Sequence, residues 1–152
     1  MAQKKYRQGY YKPKQTAKYR GNSSAIVFRS SWEKKVMMFF DESINIEWWN
    51  SEGLMIPYFN PIDKKVHSYF PDFIFLNKKK ETWIIEVKPY KETIPPSKRL
   101  RNYRGALITY VINQSKWKSA MKFCEKQNIR FAVWTERELK KMGILWLVKE
   151  MY

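Results

Sequence analysis

The sequence predicts an α/β fold in which a mixed sheet is flanked by helices. Three observations carry that expectation. Two apolar runs, residues 73–76 and 83–87, bracket a polar stretch at 77–81, the pattern of an antiparallel hairpin. Trp32, Val36, Phe39 and Phe40 recur at helical spacing before those strands, and a second stretch of helical spacing follows them. A further apolar run at 129–134, then a short capped segment, completes the order helix, strand, strand, strand, helices, strand, helix.

Taken in chain order, residues 1–25 form a flexible basic arm and 26–152 the folded domain. The arm carries Lys4, Lys5, Arg7, Lys12, Lys14, Lys18 and Arg20, interleaved with tyrosines and with no acid up to residue 22. No helical or strand period holds there, so it is expected to order only on a partner. Ser30 is a good helix N-cap, and Glu33 stands at capping-box spacing from it. Residues 43–51 are turn-rich; 52–59 suit a strand, with Pro57 marking an edge or bulge. Residues 60–65 form a turn, and 66–70 lead into the hairpin. A loop with Pro95-Pro96 precedes a helix bearing Leu100, Tyr103, Leu107 and Tyr110 on one face. Asn113 is placed to cap another helix, whose buried stripe would be Trp117, Ala120, Met121 and Cys124. Thr135 and Glu138 repeat the capping-box spacing ahead of a short helix that Gly143 ends, and 144–148 are apolar again.

Composition narrows the partner. Thirty Lys and Arg stand against fourteen Asp and Glu, a net charge of +16, in a single-domain chain of 152 residues. Such an excess points to a polyanion, with nucleic acid the default. Seven Trp, ten Tyr and nine Phe supply flat surfaces for bases as well as core. Cys124 stands alone, which excludes an internal disulfide and suits a reducing compartment. No apolar run approaches membrane-spanning length, so no membrane partner is expected.

The hairpin register supplies the chemistry. With 77–81 as the loop, Leu76 pairs with Thr82, Ile74 with Ile84 and Asp72 with Glu86. Opposed side chains on one face lie about 5 Å apart at Cβ, close enough for two carboxylates to share a hard cation such as Mg²⁺. Alternation puts Lys88 on the same face as Glu86. Two acids holding a cation can activate water and polarise a phosphate, while a lysine orients that water or offsets charge on the phosphorane. The bland alternative is a surface hairpin with incidental charges. His67, an odd number of residues from Asp72, falls on the other face and is left out of the site.

Pro71-Asp72 and Glu86-Val87-Lys88 resemble the PD-(D/E)XK nucleases. The similarity extends further: Phe28-Arg-Ser-Ser-Trp-Glu33, Ile56-Pro-Tyr58, His67-Ser-Tyr-Phe-Pro-Asp-Phe73, Glu86-Val-Lys-Pro89, Tyr110-Val-Ile-Asn-Gln-Ser-Lys-Trp-Lys118 and Phe131-Ala-Val-Trp-Thr-Glu136 resemble the head completion nucleases of T-even-type tailed phages. A more distant similarity runs to the nuclease subunit of cut-and-paste transposons. The resemblance implies a restriction-endonuclease-like αβββαβ core and a metal-dependent deoxyribonuclease acting on packaged DNA ends during head maturation and head–tail joining. It implies Asp72, Glu86 and Glu33 as metal ligands and Lys88 as the catalytic lysine. Glu33 keeps its alternative role as a cap. Mg²⁺ is the expected cofactor, with Mn²⁺ substituting. Double-stranded DNA and head, portal or neck proteins are the expected partners, in the host cytoplasm during assembly or in the virion. Lys4, Lys5, Arg7, Lys12, Lys14 and Arg20, then Lys98, Arg99, Arg101, Arg104 and Lys116, are expected to hold DNA. The competing function is a structural head or neck component that keeps the fold and binds DNA without cutting it. A general RNA-binding protein explains the charge but not the hairpin acids.

Overall fold

A computed structural model describes residues 8–145 of the chain. Short strands β1 (Gly9–Tyr10) and β2 (Val27–Phe28) pair antiparallel ahead of helix α1 (Ser31–Glu42). Strands β3 (Ile46–Ser51), β4 (Ile56–Asn60), β5 (Lys65–Tyr69), β6 (Phe73–Asn77) and β7 (Thr82–Val87) follow. Helix α2 (Tyr103–Gln127) then leads to β8 (Arg130–Trp134) and α3 (Glu136–Lys141). The main sheet has the order β3-β6-β7-β8, antiparallel except for the parallel β7–β8 pair, so the sheet is mixed. Strands β4 and β5 form a separate two-stranded ribbon.

Strand alternation divides the interior into two cores. On one face Phe73, Phe75, Ile85 and Val87 pack with Val36, Met37 and Phe40 of α1, Trp49 of β3, Trp134, and Leu139 of α3. On the other, Ile84 packs with Trp117, Ala120 and Cys124 of α2 and with Ile56, Tyr58 and Tyr69 of the ribbon. Phe40 alone meets the rings of Trp49, Phe73, Phe75 and Trp134 at centroid distances of 5.7, 5.3, 5.0 and 6.0 Å. Burial also pushes the Cys124 thiol up to about 11, as suits a packed core thiol.

The helix ends follow their local sequence. Ser30 Oγ accepts the Glu33 amide at 3.1 Å. Thr135 and Glu138 form a capping box at the start of α3. Gly143, at φ +72°, lies just beyond that helix, and Asn128 ends α2 in the left-handed conformation at φ 55°.

Four expectations are corrected. Residues 46–51, expected within a turn-rich stretch, form the edge strand β3. Its register shifts between Ile46 and Trp48, which places Ile46 and Trp49 on the same buried face and hides the two-residue period. Asn113 does not start a helix. It is buried within the single helix α2, where no proline interrupts the chain. Helix α2 also starts only at Tyr103, so Lys98, Arg99 and Arg101 precede it in a turn.

The fourth correction concerns the arm. Its described part lies packed on the domain rather than free. Tyr11 is buried, and its hydroxyl donates to Asp41 Oδ2 at 3.0 Å. The amides of Lys14 and Gln15 donate to the same carboxylate at 2.7 and 2.9 Å. Lys18 Nζ donates to the carbonyls of Asp41 and Ser43, at 3.1 and 2.6 Å, and so completes the C-terminal end of α1. Tyr19 packs edge-on against Trp49 at 4.7 Å, and the Arg20 amide donates to the Trp49 carbonyl. A fully buried carboxylate meeting three donors explains why so polar a segment is held.

Replacing Asp41 by Ala leaves two amides and a phenol without their acceptor. The expected loss is about 3 kcal/mol in urea unfolding. A loss below about 1 kcal/mol would show that the segment is held by its aromatic contacts instead.

Candidate active site

The β6–β7 hairpin has the register the sequence predicts. Leu76 lies opposite Thr82 and Ile74 opposite Ile84, and the antiparallel ladder ends at Phe73 opposite Ile85. Asp72 sits one residue before β6, and Glu86 is the penultimate residue of β7. Asp72 Oδ2 accepts the amide of Val87 at 2.7 Å, which draws its carboxylate across to the end of β7. Ile84 faces the α2 side, so alternation carries Glu86 and Lys88 to that side as well. Lys88 Nζ stands 3.9 Å from Glu86 Oε1, and its own amide donates to the Trp134 carbonyl at 3.0 Å. The pairing of β7 with β8 thereby positions the lysine.

Residues beyond the predicted acids and Lys88 complete the surroundings of Glu86. The Tyr69 hydroxyl donates to Glu86 Oε2 at 2.7 Å in a buried hydrogen bond. Lys116, on α2, holds its ammonium 5.7 Å from the ring centres of both Tyr58 and Tyr69. Its charge reaches Glu86, which puts this expected DNA-holding residue beside the acids. The neighbouring Trp117 Nε1 is buried without a hydrogen bond of ordinary length, yet it lies toward the Tyr69 hydroxyl and offsets part of that phenol's raised pKa. Tyr69 had a faint signal in the sequence. It is an aromatic three residues before Asp72, on a strand whose other residues are exposed.

Burial governs the electrostatics. Asp72 keeps an edge toward solvent but is densely surrounded, and its carboxyl is held well above its usual range. Desolvation is the largest cause, followed by repulsion from Glu86 and Glu33; the Val87 amide and Lys88 act the other way. Glu86, 7% exposed, is also raised by burial, with Tyr69, Lys88 and Lys116 offsetting part of that effect. Two like charges confined together at the end of a strand pair form an anionic site that is costly when empty of counter-charge. With Oδ2 and Oε2 engaged by Val87 and Tyr69, Asp72 Oδ1 and Glu86 Oε1 are the freer oxygens of the pair.

Glu33 stands near this pair without joining it. Its Oε2 accepts the Arg29 amide at 3.0 Å, one residue before the capping-box position, while its charge is still felt at Asp72. Among the described residues, no three Asp, Glu, His or Cys side chains converge closely enough to hold a metal together. Asp72 and Glu86 offer two carboxylates, a donor set that fits an ion such as Mg²⁺, which commonly keeps several waters beside one or two protein carboxylates. Arg29 pairs with Glu52, whose amide donates to the Asp72 carbonyl at 3.1 Å.

The expected DNA-holding residues divide by position. Lys4, Lys5 and Arg7 lie outside the described residues. Lys14 pairs with Glu42 at 3.8 Å, at the opposite end of α1 from Glu33, about 14 Å along the axis. Lys12, nearby in the chain, is exposed, and Arg20 lies over the Trp48 ring at 4.3 Å. Lys98, Arg99, Arg101 and Arg104 are all exposed on the turn and first helical residues that follow the loop leaving Lys88. His67, excluded from the site, pairs with Asp63 at 2.6 Å on the exposed ribbon.

The raised carboxyls set a pH dependence. A group held above its unfolded value favours the protonated folded form. Its contribution is fully present below about pH 4 and is lost as pH rises through the folded values. Asp72→Asn removes one charge while keeping an acceptor for the Val87 amide. In thermal melts with chelator present, the variant is expected to gain on wild type steadily from pH 4 toward pH 8. A difference that stays constant across that interval would rule out electrostatic strain in the pair.

The whole chain has recognisable relatives. Residues 43–136 match the family described as TnsA-like endonuclease N terminal, a span that includes Asp72, Glu86 and Lys88 and omits Glu33. The head completion nuclease of Enterobacteria phage T4 is 35% identical over 142 residues, covering 89% of this chain and 95% of that protein. The mixed sheet flanked by helices agrees with the restriction-endonuclease-like fold of the TnsA-like domain. This chain is a member of the phage head completion nuclease family, built on a TnsA-like endonuclease domain.

Proposed function

We propose that this protein is a Mg²⁺-dependent deoxyribonuclease of the PD-(D/E)XK type that processes packaged double-stranded DNA ends as the phage head is completed and made ready for the tail. The observation that carries the proposal is the buried Asp72–Glu86 pair with Lys88 Nζ 3.9 Å from Glu86. The name of the T4 relative supports the setting in head completion. Head, portal or neck proteins are the proposed partners, met in the host cytoplasm during assembly or in the virion.

Asp72 and Glu86 would hold Mg²⁺, or Mn²⁺ in its place, and Glu33, whose Oε2 accepts the Arg29 amide, would add its other oxygen. When bound, such an ion polarises the scissile phosphate and lowers the pKa of the attacking water. The protein's own groups do the rest. Lys88 orients the water or offsets charge on the phosphorane, and Tyr69 keeps Glu86 in one orientation. Lys98, Arg99, Arg101 and Arg104 grip the backbone beside the acids, and the N-terminal basic residues add long-range attraction.

Plasmid cleavage is expected to require Mg²⁺ and to fall by at least about 100-fold in both Asp72→Ala and Glu86→Ala. Affinity for DNA should be kept, and should weaken steeply with added salt. Cutting that survives either substitution removes the site. A well-folded wild type that binds DNA but never cuts it favours a structural role. Tyr69→Phe frees Glu86 Oε2 and is expected to raise the Mg²⁺ needed for half-maximal cleavage about tenfold. Thermal stabilisation by Mg²⁺ should shift in parallel; an unchanged metal requirement would leave Tyr69 a packing residue only.

A further inference from the structure

The loop at 89–97 and the first half of α2 border an open cavity of about 950 Å³. It is not the site of the acids, but both of its walls lead to them. The loop wall leaves directly from Lys88. The helix wall carries Asn113 one turn before Lys116, whose ammonium lies against Tyr69 and influences Glu86. Tyr90 anchors the loop: its amide donates to both oxygens of the Glu136 carboxylate at 3.1 Å, and Arg137 lies over its ring at 3.6 Å.

The lining combines three kinds of surface. Ile94 and Pro95 are apolar, and the half-buried Tyr110 presents an aromatic ring. Asn113 is only 6% exposed, and its carboxamide forms no hydrogen bond among the described residues. That leaves on the cavity wall a carboxamide able to bond what enters. Lys91 and Arg101 line the mouth, with Lys98, Arg99 and Arg104 exposed nearby; Glu92 is the acid among the described lining residues. Flat apolar walls, one amide able to donate and accept, and a cationic mouth match a nucleobase on its anionic backbone. A paired base has its edge and faces occupied, so the occupant that fits is unpaired.

We propose that the cavity between the 89–97 loop and α2 holds an unpaired nucleotide of the strand next to the cleavage point, with Asn113 bonding the base edge and Tyr110 against its face. The proposal deepens the nuclease reading and rests on it for the identity of the strand. It gives the protein a preference for frayed or single-stranded DNA ends over continuous duplex.

Equilibrium binding tests it in chelator, using duplexes of equal length that are blunt or carry a short unpaired 3′ or 5′ end with 2-aminopurine. Wild type is expected to bind one of the unpaired ends about tenfold more tightly than blunt duplex, with a change in 2-aminopurine fluorescence. In Asn113→Leu and in Tyr110→Ala that ratio is expected to fall to about one. Equal affinities in wild type overturn the proposal, as does a preference that survives both substitutions. Tyr110 is only half-buried, so its variant keeps the test decisive should Asn113→Leu fold poorly. Because no divalent ion is present, a lost preference leaves the Asp72 and Glu86 cleavage test intact, and a failed cleavage test leaves this one standing.

Discussion

The antiparallel register of β6 and β7 is the constraint on which the rest of the molecule depends. Pairing Leu76 with Thr82 and Ile74 with Ile84 sorts every later side chain by alternation. Phe73, Phe75, Ile85 and Val87 go to the core under α1, while Ile84 and Glu86 go to the side covered by α2. A slip by one residue would exchange those sets, burying Glu86 among the aromatics around Phe40 and turning Ile85 away from them toward α2. The two cores therefore enforce the placement of the acids, and the site inherits its precision from hydrophobic packing on both faces of the sheet.

The same packing makes the site electrostatically uncomfortable, and the proposed chemistry rests on that discomfort. Burial raises both carboxyls, and their mutual repulsion adds to the effect at Asp72. The protein offsets this only partly. Tyr69 donates to one oxygen of Glu86, the Val87 amide to one oxygen of Asp72, and Lys88 and Lys116 approach from separate elements. A pair tightly compensated by arginine would be stable and inert. An under-compensated pair is the kind of site that could attract a cation, as the proposed function requires.

Around this centre the peripheral elements have distinct physical tasks. The ribbon β4–β5 contributes its inner residues Tyr58 and Tyr69 to the second core while its outer residues stay in solvent. Tyr69 thus reaches Glu86 from outside the main sheet. The basic N-terminal segment is not simply a polycation. Tyr11, Lys14, Gln15 and Lys18 all converge on Asp41 or its neighbouring carbonyls at the far end of α1 from the acids. Part of the chain's positive charge is committed there to ending a helix.

How much of this was legible follows from the range of each interaction. The hairpin register, the Ser30 cap, the capping box at Thr135 and the gathering of Asp72, Glu86 and Lys88 are local, set by residues within one or two turns or one tight loop, and the sequence by itself determined them. What only the tertiary structure decided depends on partners distant in the chain. The bulge of β3 becomes regular only against β6, and Asp41 draws in a segment with no period of its own. Asn113 looked like a cap because a polar residue in an apolar face is the local signature of a break. In the fold it is an internal residue facing a cavity whose other wall is the 89–97 loop. Tyr69 and Lys116 acquire their places beside Glu86 only when the ribbon and α2 close over the sheet. Alternation and capping act along the chain and can be read from it; desolvation and charge compensation act across space, and exist only once the chain has folded.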